Sequence, residues 1–155
     1  MSRHRRRVAS GAAVAVAVAV LAGCTAPEEP TVTVGTAQTL AVEVADSPEE
    51  RRVGLMGRTD VPEGTGMAFV YPEPLRGGFW MRDTLVPLSI VWVLDDTVVG
   101  VAEMEPCADR EQCLVYYPED ADAVFDLAVE AAAGTFTEAG VRPGDPVSTT
   151  GLPGR

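Results

Sequence analysis

The chain has 155 residues, and its 12 basic and 23 acidic residues give a formal net charge of −11 with histidine neutral. This acidity argues against nucleic acid as a partner, because binding phosphate requires a basic face. The only histidine is His4, and the sequence contains no lysine and no asparagine.

The N-terminus has the layout of an export signal. Four arginines between residues 3 and 7 precede an uncharged run from Val8 to Gly23, made mostly of Ala, Val and Leu. The run ends in Leu21-Ala22-Gly23-Cys24, which resembles a bacterial lipobox. We expect residues 1–23 to be a lipoprotein signal peptide and Cys24 to carry palmitate-type acyl chains, two or more of which anchor a protein stably. The protein would then lie at the extracytoplasmic face of the cell membrane.

Two other readings of this segment remain: an uncleaved membrane helix, although about 16 apolar residues is short for a bilayer, and a plain secretory signal. Arg5-Arg6 is a weak hint of twin-arginine export, and the general route suits the basic start equally well. Cleavage before Cys24 would remove His4 and leave 8 basic against 23 acidic residues, a net charge of −15. Any catalysis would then use carboxylates, hydroxyls, tyrosine or arginine, without histidine triads, histidine-bound zinc or Schiff bases.

The mature chain opens with a polar segment and one helix signal. Residues 24–38 are rich in Pro, Glu and Thr and are predicted to be a flexible tether. The alternation of Thr39–Val44 predicts the first strand of a single β-rich domain over residues 39–148. Ser47-Pro48-Glu49-Glu50 provides an N-cap, a first-turn proline and a capping-box glutamate, which predict a helix to about Met56.

Further strands are predicted from short segments rich in Val, Phe, Trp and Tyr. They are Met67–Tyr71, Gly78–Met81, Leu88–Leu94, Val98–Met104, Leu114–Tyr117 and Ala123–Val129, with a hairpin turn at Asp95-Asp96. A short helix over Ala131–Ala139, a last strand near Val147 and a frayed end at 149–155 complete the prediction. The predicted fold is α+β, mainly β: a compact small barrel or two curled antiparallel sheets with one or two short helices.

Cys107 and Cys113 form an even pair in a chain predicted to reach an oxidising compartment. A structural disulfide closing a short loop is the favoured interpretation. A redox-active pair is the alternative, but such pairs prefer a two-residue spacing at a helix start.

Several blocks, in the same order along the chain, resemble the domain of unknown function 192 family. They are Glu49–Arg58, Gly66–Val70, Gly78–Leu88 and Gly140–Asp145. The resemblance covers about residues 39–148 and implies a small β-rich fold, commonly exported or membrane-associated, with no assigned activity. Members usually carry asparagine where Asp83 stands and aspartate where Ser89 stands, so a family site that used this pair would have altered chemistry here.

A candidate ligand site is formed by Trp80, Arg82, Asp83 and Thr84, where a strand gives way to a loop. In a strand, Trp80 and Arg82 would share one face, suited to stacking on a flat ligand such as a sugar ring, while Met81 and Asp83 would share the other. The alternative is that Trp80 is a core or rim residue and that Asp83 and Thr84 only stabilise a turn.

Two further chemistries use the remaining residues. A glycan hydrolase could combine Asp83 with Glu63, Glu73, Glu103 or Glu105. The mature methionines Met56, Met67, Met81 and Met104 could bind cuprous copper, but core packing is the favoured role. We therefore predict no catalytic residue, metal or cofactor.

The favoured function is a non-enzymatic ligand-binding or accessory module of the cell envelope, with an envelope polymer or envelope protein as partner. A carboxylate-dependent hydrolase of envelope glycans is the alternative.

Overall fold

A computed structural model of the chain describes residues 28–36, 39–107, 112–120 and 122–155. The predicted signal peptide at 1–23 and the predicted lipidation site Cys24 lie outside these residues. Within the described part, no helix has the length and apolar character needed to cross a membrane.

Nine strands and one helix make up the described secondary structure. They are β1 (Thr31–Val34), β2 (Thr39–Ala45), α1 (Pro48–Val53), β3 (Thr65–Leu75), β4 (Phe79–Trp80), β5 (Leu88–Leu94), β6 (Thr97–Met104), β7 (Val115–Tyr116), β8 (Phe125–Ala132) and β9 (Val147–Thr150). Seven strands form one curled sheet in the order β6-β5-β8-β3-β2-β1-β9, and β4 pairs with β7 in a second, small sheet. The predicted mainly-β fold of curled sheets is therefore confirmed.

All pairs in the large sheet are antiparallel except β2 and β3, which pair in parallel. The segment that connects these two strands contains α1. The sheet curls until its two ends meet: the Val98 amide donates to the Asp145 carbonyl at 2.9 Å, and the Gly144 amide donates to the Val98 carbonyl at 2.8 Å. These bonds join the start of β6 to the residues that lead into β9, so they satisfy edge groups that would otherwise be unpaired.

Both faces of the large sheet are buried, each against its own hydrophobic cluster. Successive side chains of a strand point to opposite faces, so neighbouring residues belong to different clusters. Ala68 and Val70 of β3 belong to one cluster, which also contains Phe136 and Leu152. Phe69 belongs to the other cluster, which lies under the small β4–β7 sheet and the chain around α1; its members include Leu55, Phe79, Met81, Trp92 and Phe125. The second face carries the candidate site.

The helix and the hairpin follow their sequence signals. Ser47 caps α1 by accepting a hydrogen bond from the Glu50 amide, and the Glu50 side chain accepts from the Ser47 amide at 3.0 Å. The helix ends at Val53, before Gly54, which is earlier than the predicted end at Met56. Strands β5 and β6 form the predicted hairpin, in which Asp95 and Asp96 both have positive φ, as a two-residue turn of this kind requires.

Three boundary predictions are wrong. Thr31–Val34, assigned to the flexible tether, pairs with both β2 and β9. The predicted helix at Ala131–Ala139 is instead the end of β8 followed by turns, because Ala131 pairs in the sheet and Gly134 has a φ of 82°. The predicted frayed end at 149–155 is ordered: β9 continues to Thr150, Leu152 is buried, and Arg155 forms ion pairs with Asp96 and Asp126.

The predicted disulfide is present between Cys107 and Cys113, whose Cα atoms are 5.2 Å apart. Cys107 packs against the second hydrophobic cluster. The bridge therefore ties the segment before β7 to the core beneath the small sheet.

Candidate functional site

The small sheet presents the aromatic part of the site to solvent. Trp80 on β4 lies opposite Val115 on β7, and its side chain is 46% exposed. The Arg82 guanidinium carbon lies 5.6 Å from the centre of the Trp80 ring, a cation–π distance. Phe79, the neighbour of Trp80, points the other way into the core, where its ring packs edge-on against Phe69 at 5.0 Å.

Beyond β4 the chain turns inward and buries Thr84. Met81 is buried in the core, while Asp83 has a φ of 58°, a conformation that Asp and Asn adopt more readily than most residues. The Thr84 amide donates to the Met81 carbonyl at 3.1 Å and closes this turn, and the Thr84 residue is only 6% exposed. The Gly57 amide donates to the Asp83 carbonyl at 2.8 Å, which joins the turn to the segment that follows α1.

A small cavity of about 30 Å³ lies between these two segments and the large sheet; we call it the Glu130 cavity. Its lining residues are Arg51, Arg52, Val53, Gly54, Leu55, Met56, Phe69, Phe79, Trp80, Thr84 and Glu130. A cavity of this size exceeds the minimum for one water molecule. It can therefore hold one water molecule or a ligand atom of similar size.

Glu130 reaches the cavity from the centre of the large sheet. It lies on β8 opposite Met67 of β3 and Ile90 of β5, and it is only 5% exposed. The neighbouring strand approaches closely at this point, since a Cβ atom added to Gly66 would lie 2.4 Å from the Glu130 carbonyl oxygen. A glycine at position 66 is thus required to keep the backbone of β8 in place at the site.

The two buried polar side chains of the cavity have no partner in the described structure. Neither the Glu130 carboxyl group nor the Thr84 hydroxyl group makes a hydrogen bond or ion pair with another described residue, although both line the same space. Within the described residues Trp92 Nε1 is the one buried polar side-chain atom without a partner, so the Glu130 and Thr84 oxygens are not sealed from solvent. Water can therefore reach both groups in the cavity, and a ligand would have to displace it.

The arginines beside the cavity are engaged elsewhere. Arg51 donates to the Val70 carbonyl at 2.8 Å and lies over the Tyr71 ring, 4.8 Å from its centre. Arg52 pairs with Glu49 on the surface of α1 at 2.5 Å. Since neither guanidinium is paired with Glu130, its carboxyl group is not held as a carboxylate by a cation.

Burial raises the pKa of Glu130 to about 8 from the ordinary value of 4.5, because a low-dielectric environment penalises the charged form. At neutral pH the side chain is therefore mainly a neutral carboxylic acid, which offers one hydrogen-bond donor as well as acceptor oxygens. Burial likewise raises the pKa of Tyr71, and the nearby Glu130 adds to that increase.

The other acidic candidates are not among the residues that line the Glu130 cavity. Among the described lining residues Glu130 alone is acidic, so the cavity contains none of Asp83, Glu63, Glu73, Glu103 or Glu105. Glu103 has a structural role: it accepts hydrogen bonds from the Ser89 hydroxyl at 2.6 Å, the Thr137 hydroxyl at 2.7 Å and the Gly134 amide at 3.0 Å. Ser89 is fully buried and belongs to that network.

The metal-binding alternative gains no geometric support. Met67, Met81 and Met104 are buried in the second hydrophobic cluster, where they pack against other apolar side chains. Over the described ranges, no group of three or more His, Cys, Asp or Glu side chains is arranged to hold a metal ion.

The structure thus brings Trp80 and Thr84 together with a residue that the sequence analysis missed. Arg82 contacts the Trp80 ring at the surface, and Asp83 contributes its backbone to the turn. The sequence did carry a signal for Glu130: it is the only charged residue in the run Leu127–Ala133. The predicted strand ends at Val129, whereas β8 continues to Ala132 and includes Glu130.

The fold and the cavity define a small curled β domain with an unpaired acid buried beside an exposed tryptophan. The chain belongs to the family described as DUF192, Uncharacterized ACR, whose model matches residues 30–149. No curated protein matches the chain.

Two solved structures are similar to most of this chain. A protein from Sinorhizobium meliloti 1021, provisionally described as a transcription regulator, has 27% sequence identity and a TM-score of 0.67; the match covers 84% of this chain and 100% of that one. A protein of unknown function from Novosphingobium aromaticivorans DSM 12444 has 32% identity and a TM-score of 0.63, covering 77% of this chain and 83% of that one.

Proposed function

We propose that this protein is a membrane-anchored lipoprotein of the extracytoplasmic face, and that its domain binds a ligand of the cell envelope without cleaving it. The lipobox-like sequence ending at Cys24 supports the anchor and the location. The single observation that carries the binding function is the Glu130 cavity, which is lined by the largely buried Glu130 and Thr84 and by a half-exposed tryptophan, Trp80. Ligand sites typically combine apolar walls with a few polar groups of this kind.

Binding is favoured over hydrolysis by the chemistry of the cavity. Cleavage of a glycosidic bond normally uses two carboxyl groups, separated by roughly 5 to 9.5 Å, on either side of the bond. Glu130 is the only acidic residue among the described lining residues, and about 30 Å³ is too small for a sugar ring. Glu130 has the raised pKa of a general acid but lacks the second carboxylate and the space for the reaction.

A role in transcription, which the description of the Sinorhizobium meliloti protein names, gains no support from the charge of this chain. Contacts with DNA phosphates require a basic face, and this chain carries a net charge of −11. An envelope ligand fits the proposed location and does not require a basic surface.

Two measurements on the full chain, expressed in a bacterium that exports it, test this proposal. The first is fractionation of cells that carry the wild type or Cys24→Ser. The wild type should be in the membrane fraction and should carry the mass of the acyl chains. The Cys24→Ser variant should lack this added mass. Wild-type protein that stays unacylated in the soluble fraction would contradict the anchor.

The second measurement is incubation of the purified protein with cell-wall fragments, followed by mass spectrometry of the retained and released material. Retention without new products supports binding, and Glu130→Leu should reduce retention while the surface control Glu73→Gln should not. New cleavage products that disappear in Asp83→Ala would instead support the hydrolase. If the fragments are neither retained nor cleaved, a cell-wall glycan or peptide as the ligand would be contradicted.

A further inference from the structure

We infer that the edge of the domain around Gly151 lies against the headgroups of the bilayer that holds the acyl chains of Cys24, while the turn around Glu138 points away from it. The inference rests on the proposed lipid anchor and deepens it by naming the surface that meets the membrane. It follows from the length of chain between Cys24 and the domain, and from the place where that chain joins the sheet.

The chain joins the sheet earlier than the sequence predicts. Strand β1 begins at Thr31, inside the predicted tether. Pro30 already contacts the sheet, because its carbonyl accepts a hydrogen bond from the Val42 amide at 2.9 Å. Glu28 lies beside Gly151, since a Cβ atom added to Gly151 would be 3.1 Å from the Glu28 carbonyl oxygen. The domain therefore begins at Glu28 or before it.

Little chain remains between the anchor and the domain. Glu28 follows Cys24 by four residues, and each residue of a fully extended chain spans at most about 3.6 Å. The Cα atoms of Cys24 and Glu28 can thus be no more than about 14 Å apart, whatever the conformation of the residues between them. Acyl chains would hold Cys24 at the membrane surface, so Gly151, the neighbour of Glu28, must lie close to the headgroups.

The other side of the domain lies farther from the anchor. Strand β1 is three strands away from β8 in the sheet, and neighbouring strands are about 4.8 Å apart. Asp126, near the start of β8, pairs with Arg155, four residues after Gly151. From Asp126 the strand runs away from this edge for about 20 Å to Ala132. Glu138 is exposed in the turns that follow β8, which places it on the far side.

The surface around Gly151 suits headgroups rather than acyl chains. Glu28, Glu29, Gly151 and Pro153 are exposed, and each is acidic or small. The large exposed apolar side chains of the described residues all belong to other segments: Val53, Trp80, Leu85, Leu114, Val115 and Tyr117. Anionic lipids repel the two glutamates, so the short tether, and not charge, sets the distance to the bilayer.

The short tether also limits what the domain can bind. A domain of this length is roughly 35 Å across, so its surface extends no farther than about 50 Å from Cys24 when the tether of about 14 Å is added. An envelope ligand of this protein must therefore be present in the layer next to the membrane. A polymer or protein confined to more distant layers is out of reach.

The test measures the distance of two positions from the bilayer in the full, acylated protein reconstituted into vesicles. Because the sequence contains no lysine, a single introduced lysine can be labelled with an amine-reactive fluorophore. Pro153→Lys labels the edge near Gly151 and Glu138→Lys labels the far turn; both positions are exposed. Wild-type protein treated with the same dye gives the background from the amino terminus.

Energy transfer to acceptor-labelled headgroups reports the distance. We expect transfer from position 153 to be at least about twofold more efficient than from position 138, because the two sites differ by roughly 20 Å in distance from the bilayer. Thr150→Lys, on the same edge as Pro153, provides a second near position if Pro153→Lys does not fold. Circular dichroism confirms the fold of each variant.

A lengthened tether provides the matched control. An insertion of about 20 Gly and Ser residues after Ala26 adds a flexible span of roughly 25 Å, which frees the domain to turn. The difference between the two labelled positions should then disappear. A difference that survives the insertion would overturn the inference, because a contact other than the tether would be orienting the domain.

Equal transfer from the two positions with the native tether, or greater transfer from position 138, would also overturn the inference. Such a result in protein that carries the acyl mass leaves the proposed anchor intact. Protein without acyl mass refutes the anchor itself, and the orientation with it.

Discussion

Replacing Glu130 with glutamine should abolish a loss of stability that the wild-type protein suffers as the pH rises. Burial raises the pKa of Glu130 to about 8 in the folded protein, whereas the ordinary value in an unfolded chain is 4.5. Below pH 4.5 the group is protonated in both states and costs nothing. Between these two values the unfolded chain releases its proton and the folded protein retains it, so stability falls as the pH rises through this window.

The magnitude follows from the two pKa values. One pKa unit corresponds to about 1.4 kcal/mol, so a pKa of about 8 rather than 4.5 represents a total of about 5 kcal/mol. Most of the window lies between pH 5 and pH 8, where we expect the wild type to lose roughly 3 kcal/mol because of this group. Glutamine has a similar shape and does not titrate, so the variant should lack this component.

Urea unfolding of the disulfide-bonded protein at several pH values between 5 and 8 measures the effect, with Glu73→Gln as the control for loss of a surface carboxylate. The free energy of unfolding of Glu130→Gln minus that of the wild type should increase with pH, while the Glu73→Gln difference should stay flat. Parallel profiles for the wild type and Glu130→Gln would refute the reasoning, because they would mean that Glu130 has the same pKa in both states.

Three other substitutions test separate parts of the structure. Gly66→Ala would place a Cβ atom 2.4 Å from the Glu130 carbonyl oxygen and should lower the free energy of unfolding by more than about 2 kcal/mol; an unchanged urea midpoint would contradict the close strand approach. Arg155→Ala removes a largely buried ion pair with Asp126 and should lower the free energy of unfolding by about 1 kcal/mol, with a smaller decrease in high salt. An unchanged free energy of unfolding would mean that Arg155 is not held by this ion pair. Trp80→Ala should reduce retention by cell-wall fragments and leave the melting temperature within about 2 °C, because its side chain is half-exposed; unchanged retention would exclude the ring from the binding site.

Local signals in the sequence predicted much of the fold. The capping box at Ser47 and the two aspartates of the β5–β6 hairpin act within a few residues, so their patterns can be recognised directly. The segment Thr31–Val34 was missed because its polar and proline-rich surroundings suggest a tether, whereas its position is set by pairing with β2 and with the distant β9. Long-range pairing of this kind leaves little trace in a four-residue segment.

The site could be predicted only in part, because some of its residues are close in sequence and one is brought in by long-range strand pairing. Trp80 and Thr84 are close in sequence and were recognised as part of a candidate site, but Glu130 reaches them only through the pairing of β8 with β3 and β5. The predicted strand ends at Val129 and the predicted helix begins at Ala131, whereas β8 runs from Phe125 to Ala132. The burial that raises the pKa of Glu130 arises from several strands and α1 together, so no local pattern could have predicted it.

The claim that an envelope ligand engages the Glu130 cavity is tested most directly at the Glu130 carboxyl group itself. Its carbon chemical shift, measured by NMR in protein labelled at glutamate and assigned with Glu130→Gln, can be followed while solubilised cell-wall fragments are added. We predict a saturable change in this shift, with no change in the fragments themselves. A Glu130 shift that stays constant while the fragments bind elsewhere, or fragments that are cleaved, would contradict the account.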